Sequence, residues 1–172
     1  MTAPPVIGIA GWKNSGKTTL TVRLIEEFTR RGLKVATIKH AHHDFQIDEG
    51  ETDSARHRRA GATEVAIVSG GRWAMVHELR DEPEPPFGET LARLSPVDLV
   101  IAEGYKREPI PKIELRRRES KSKETFAPGD SNVIAIASDH ETEGHGLPVL
   151  SLDDVTAIAD VISSHLKLAR QR

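Results

Sequence analysis

At 172 residues the chain is long enough for one compact domain with its own core, and its 37% hydrophobic and 29% charged residues are those of an ordinary soluble protein. A net charge of −2 gives no general pull toward nucleic acid or anionic lipid, so neither is expected as a partner. The absence of cysteine excludes disulfides and thiolate metal sites and fits a reducing cytosol. No apolar run approaches the ~20 residues that cross a bilayer, and the N-terminus lacks a basic region ahead of its short apolar stretch, so a cytoplasmic location is expected.

Val6–Ala10 is a short apolar run followed by glycine, the pattern of a buried strand. Residues 17–31 carry Leu20, Leu24, Ile25 and Phe28 at helical spacing, with Gly32 as a stop. Residues 34–38 read as the next strand. After a loop rich in histidine, residues 52–60 read as a helix with Asp53 and Ser54 at its start and Gly61 at its end. Residues 63–69 and 73–79 are further strands, split by Gly70-Gly71.

An acidic, proline-rich loop follows, then a helix at 87–94 and a buried strand at 98–103. Lys112–Arg116 alternates polar and apolar residues, which predicts an edge or antiparallel strand with one wet side. Residues 117–131 show no periodicity and are expected to be mobile. Val133–Ser138 reads as a buried strand, 148–152 as a short one, and Asp153 or Asp154 as the cap of a last helix with Val155, Ile158, Ile162 and Leu166 inward.

Charge is uneven along this order. Glu78, Asp81, Glu82 and Glu84 cluster before the middle, and Lys112, Arg116, Arg117, Arg118, Lys121 and Lys123 after it; both read as solvated loops. Strands alternating with helices predict an α/β fold with a mostly parallel sheet flanked by helices, plus an antiparallel edge strand or hairpin. Neither a repeat nor a linker shows, so residues 1–172 are expected to form a single domain.

Residues 11–18, Gly-Trp-Lys-Asn-Ser-Gly-Lys-Thr, match G-x-x-x-x-G-K-[ST] between a strand and a helix. The pattern alone arises by chance in roughly one chain in a couple of hundred of this length. In that setting the glycines let backbone amides turn in around a phosphate, and the helix N-terminus adds the positive end of its dipole. Gly11, Asn14, Ser15, Gly16 and Thr19 are therefore expected to line a nucleotide. Lys17 would reach its β- and γ-phosphates and Thr18 would hold Mg²⁺.

Such a loop needs a carboxylate near the metal, and the strand at 98–103 offers two. In a parallel sheet the phosphates lie beyond the carboxyl ends of the strands. Asp98 opens its strand and sits ~16 Å from that end at ~3.3 Å per residue, whereas Glu103 closes it. Glu103 is thus assigned to the metal, and Gly104 would let the next backbone approach the γ-phosphate.

The strand at 34–38 ends at the same rim, so Lys39, His40, His42, His43 and Asp44 emerge beside the phosphates. A zinc or nickel site is chemically possible there, but no second ligand cluster accompanies it, and His57 and His77 are isolated. The reading preferred is nucleotide or substrate contact for Lys39 and the histidines. Asp44 is assigned a water-mediated Mg²⁺ contact or the positioning of an attacking water. Asp48 and Asp53 are weaker candidates, Asp53 serving better as a helix cap.

The blocks G-W-K-N-S-G-K-T-T-L (11–20), I-K-H-A-H-H-D-F (38–45), D-S-A-R-H-R-R-A-G-A (53–62), D-L-V-I-A-E-G-Y-K (98–106), P-K-I-E (111–114) and V-I-A-I-A-S-D (133–139) span almost the whole chain. Together they resemble the molybdopterin-guanine dinucleotide biosynthesis protein B family. The resemblance implies a homodimeric P-loop protein that binds GTP with Mg²⁺ and hydrolyses it slowly. It implies work beside the guanylyltransferase that joins GMP to molybdopterin, with molybdopterin or its guanine dinucleotide form as a further ligand. Dimeric relatives of this kind carry an extra lysine in the P-loop, and Lys13 stands one place later than that lysine would.

No N-K-x-D guanine motif occurs, so Asp139, at the exit of Val133–Ser138, is the candidate for reading the base. Two other functions remain open from the residues: a small-molecule P-loop kinase, with Arg56, Arg58, Arg59 or Arg116–Arg118 closing over a phosphoryl acceptor, and a nickel-insertion GTPase, with metal on His40, His42 and His43. No glutamine or arginine stands at a position defensible from sequence as a transition-state stabiliser. Turnover below ~1 s⁻¹ is therefore expected, against ~1–100 s⁻¹ for kinases.

Overall fold

The computed structural model describes residues 3–41 and 45–169. Its elements follow in the order β1 (Val6–Ala10), α1 (Lys17–Arg30), β2 (Val35–Lys39), α2 (Asp53–Arg59), β3 (Glu64–Val68), β4 (Trp73–His77), α3 (Phe87–Ala92), β5 (Leu99–Glu103), β6 (Lys112–Arg116), β7 (Val133–Ser138), β8 (Val149–Ser151) and α4 (Val155–Leu166). They form two compact units, residues 1–40 with 87–172 and residues 41–86.

The larger unit holds a six-stranded sheet in the order β2-β5-β1-β6-β7-β8, with every pairing parallel. Period-two alternation sends Leu99 and Ile101 of β5 to one face and Val100 and Ala102 to the other, and all four are buried. On the first face the sheet meets Leu20, Leu24 and Phe28 of α1 and Ile158, Ala159 and Ile162 of α4, the residues whose helical spacing marks them as an inward stripe. On the second face Ile38 of β2 joins Val100 and Ala102, and Phe87 of α3 packs on them together with Leu91 and Tyr105. Asp154 caps α4, accepting from the amide of Ala157 at 2.9 Å.

β6 corrects the sequence reading. It lies in the sheet interior between β1 and β7, parallel to both, and all five residues are buried. Its polar members are not wet; they are paired. Lys112 Nζ donates to Asp130 at 2.7 Å. Glu114 takes Arg116 on both oxygens, at 3.0 and 3.1 Å, and also accepts from the amides of Phe126 and Ala127. Removing one member of such a buried pair costs about 3–5 kcal/mol, so the residues occur together. Lys112 and Arg116 therefore do not belong to a solvated basic loop. Residues 117–131 are also tied down rather than loose: Ala127 is buried, and the amide of Lys121 donates to the carbonyl of Lys13 at 3.1 Å.

In the smaller unit β3 and β4 pair as an antiparallel hairpin. Among its described residues Val65 of β3 and Ala55 of α2 are buried. The cap of α2 is Thr52, whose hydroxyl accepts from the amide of Ala55 at 3.2 Å; Asp53 is the first helical residue and pairs with Arg56 instead. His77 bridges Glu64 and Glu82 at 2.8 and 3.1 Å, and these two carboxylate bonds hold its pKa above the ordinary histidine value.

A raised folded-state pKa favours the protonated form, so this contribution to stability is complete below about pH 6.5 and is lost as pH rises through the folded value. Nuclear magnetic resonance titration should find the His77 midpoint above that of a free histidine. His77→Gln should flatten the fall in stability over this window. A fall of the same size in the variant would place its origin elsewhere.

Candidate functional site

β1 stops at Ala10 and α1 starts at Lys17, and the turn between them needs unusual backbone. Asn14 and Gly16 have φ of 66° and 86°, values that favour glycine and asparagine. No side chain caps α1. Its first amides thus keep their donors, together with the positive end of the helix dipole. Ser15 is fully buried and its hydroxyl has no hydrogen-bond partner.

Register brings the other groups to this turn. β1 sets Ile9 opposite Glu103, and β2 sets Lys39 opposite Glu103, so that carboxylate closes β5 between its two neighbours. Thr18 Oγ1 donates to Glu103 Oε1 at 3.1 Å, and Lys39 Nζ stands 3.8 Å from the same oxygen. Asp98, at the opposite end of the strand, accepts from the amide of Lys34 at 2.7 Å. Strand direction thus separates the two carboxylates as the sequence indicates.

Gly104 follows with φ 93°, and a Cβ there would come within 2.8 Å of the His40 carbonyl oxygen. Only a glycine lets the turn after Glu103 pass so close to the end of β2. The amide of His40 donates to the Glu103 carbonyl at 2.9 Å, and the imidazole lies 5.4 Å from the Tyr105 ring.

Lys17 Nζ donates to the Trp12 carbonyl at 2.9 Å. Burial holds its pKa below the ordinary lysine value; Glu103 opposes that shift, while Lys106 and Lys39 add to it. A desolvated ammonium among other cations is suited to meeting an anion.

A cavity of about 240 Å³ opens beside the start of α1, lined by Ser15, Gly16, Thr19, Arg117, Asp139 and Asp153 among others. Asp139 Oδ1 accepts from the amide of Arg118 at 3.0 Å and from His140 Nδ1 at 2.7 Å. Burial alone would raise its pKa, but those bonds outweigh burial and keep it below the usual carboxylate value.

The site also includes Trp12, to which the sequence reading gave no role of its own, and Arg117, which it placed only in the basic cluster and in the kinase alternative. Trp12 Nε1 donates to the Glu124 carbonyl at 2.7 Å, its ring stacks on Phe126 at 5.7 Å, and Lys106 Nζ lies over it at 4.2 Å. The aperiodic segment 117–131 is thereby fastened to the turn. Arg117, the second, packs against Gly16. Nothing local in the sequence marks the role of Trp12, whose partners Glu124 and Phe126 lie far along the chain.

His42, His43 and Asp44 lie outside the described residues. Among the described residues no group of three or more His, Asp or Glu side chains is placed to hold a metal ion. Asp48 accepts from Thr52 Oγ1 at 2.6 Å. Also among the described residues, no helix is long and apolar enough to cross a membrane.

A parallel sheet whose central strand runs through a glycine turn into a helix, with a carboxylate closing the neighbouring strand, defines a P-loop NTPase-like α/β protein. The chain belongs to the family described as molybdopterin guanine dinucleotide synthesis protein B, whose sequence model matches residues 6–139. It is 38% identical over 165 residues to the molybdopterin-guanine dinucleotide biosynthesis adapter protein of Haemophilus influenzae, covering 94% of this chain and 89% of that one. The Escherichia coli adapter protein is 36% identical over 160 residues, covering 92% and 91%. Among solved structures, Bacillus subtilis MobB superposes with a TM-score of 0.74 at 26% identity, covering 97% of this chain and 99% of that one. A MobB homolog from Bacillus stearothermophilus gives 0.70 at 28% identity, covering 95% and 99%.

Proposed function

We propose that this protein is a GTP-binding adapter of molybdenum-cofactor biosynthesis, assisting the attachment of GMP to molybdopterin. Family membership and the adapter names of its relatives support the pathway. The observation that supports the nucleotide is the meeting of Thr18 and Glu103 at 3.1 Å beside the uncapped start of α1.

The residues present fit GTP with Mg²⁺. A threonine hydroxyl and a carboxylate oxygen at one point are the hard oxygen donors that Mg²⁺ takes. The desolvated ammonium of Lys17 belongs to the same turn. When bound, Mg²⁺ supplies charge neutralisation to the phosphates. The chain's own part is to hold and orient: Lys17 and the first amides of α1 take phosphate oxygens, and Thr18 and Glu103 hold the cation. Lys39 and His40 flank the carboxylate, and Asp139 takes the base.

The protein acts in this reading as a cytoplasmic homodimer, with molybdopterin guanylyltransferase as partner and the pterin as a further ligand, and it hydrolyses GTP slowly. Glu103→Gln should weaken Mg²⁺-dependent GTP affinity far more than Asp98→Asn, whose loss falls on the Lys34 amide and hence on stability. Calorimetric titration with and without Mg²⁺ decides this. The reverse order would remove Glu103 from the metal.

A further inference from the structure

The carboxylate of Asp139 is already engaged in the free protein, and this bears on how a base could be read there. Guanine offers two adjacent donors, N1–H and the 2-amino group, which a carboxylate oxygen left open can accept. Oδ1 carries the bonds from Arg118 and His140, and Arg117 Nε stands 3.7 Å from Oδ2. Arg117 also reaches the phosphate end of the cavity: its Cδ and Nη1 lie 3.9 Å from where a Cβ on Gly16 would be. Ser15, with its unpartnered buried hydroxyl, lines the same cavity.

We propose that Arg117 contacts the nucleotide by exchanging partners, leaving Oδ2 of Asp139 open for the base and taking a phosphate oxygen beside Gly16. The inference rests on the GTP reading above and adds a residue to it. Two observations favour the exchange. The Arg117 side chain is 41% exposed, and its ion pairs to Asp139 and Glu119, at 3.7 and 3.4 Å, are long. Exposed pairs of that kind hold little, whereas a guanidinium meets phosphate oxygens with matched, charge-assisted hydrogen bonds. The lost partner at Oδ2 is replaced by the guanine donors, so the carboxylate stays satisfied.

The exchange makes the two ends of the ligand respond oppositely. In Arg117→Ala, GTP should bind roughly tenfold or more weakly, since the loss is a hydrogen bond to a charged group. Guanosine, which has no phosphate, should bind as well as before or more tightly, and Arg117→Lys should recover part of the GTP affinity. Both ligands are titrated calorimetrically against wild type and variants with Mg²⁺ present. Parallel losses for GTP and guanosine would reduce Arg117 to a wall of the cavity. Unmoved GTP affinity would remove its role altogether. A wild-type protein that binds no GTP would instead remove the nucleotide reading on which the exchange rests.

Discussion

Lys17→Ala should abolish GTP binding, a loss of at least ~100-fold when charge-assisted bonds of ~1.5–3 kcal/mol each are removed from the phosphates. The fold should survive. Lys17 is held by the Trp12 carbonyl, and α1 is fixed by Leu20, Leu24 and Phe28, none of which the change touches. Removing an ammonium whose pKa burial has lowered also relieves a desolvation cost. Calorimetry should show no heat of binding while circular dichroism shows an unchanged melting transition. Affinity at the wild-type level would detach the turn at 11–18 from phosphate.

Asp139→Asn should change which base is accepted. Adenine presents an acceptor at N1, where a carboxylate repels it, and guanine presents donors that a carboxylate receives. The amide should cost GTP at least ~10-fold, and xanthosine triphosphate should gain, because its 2-oxo group accepts from the new N–H. The amides of Arg118 and the ring of His140 can still bond the remaining oxygen, so the loop is expected to stay in place. If neither nucleotide moves, Asp139 is only the residue that ties 118 to 140.

Much of the fold was legible because short-range periodicity matched long-range packing. The stripe Leu20, Leu24, Phe28 lies on the sheet, and the apolar runs of β1, β5 and β7 are buried strands of one parallel sheet. β6 broke that correspondence. Its alternation has the period of a half-wet strand, but Glu114 and Arg116 are covered by residues 126, 127, 142 and 143 and satisfied by them. Alternation reports which side chains are polar and does not report whether a distant loop will supply partners.

The site divides in the same way. Glu103 could be preferred over Asp98 from strand direction alone, since direction fixes which end of β5 faces the turn. Asp139 could be placed near the cavity because it leaves a parallel strand at that rim. Trp12's role could not be found, because it depends on Glu124 and Phe126, and Arg117 stood out only as one of a run of cations, because its place beside Gly16 and Asp139 comes from the path of the chain. Those contacts arise from the path of an aperiodic segment, and no local pattern encodes that path.

One titration tests the central claim most directly: GTP and ATP against the wild-type protein, with and without Mg²⁺, followed by calorimetry. One GTP per chain, strengthened by Mg²⁺ and at least ~10-fold tighter than ATP, is the expected result. ATP binding as tightly as GTP, or no heat from either nucleotide, would contradict it.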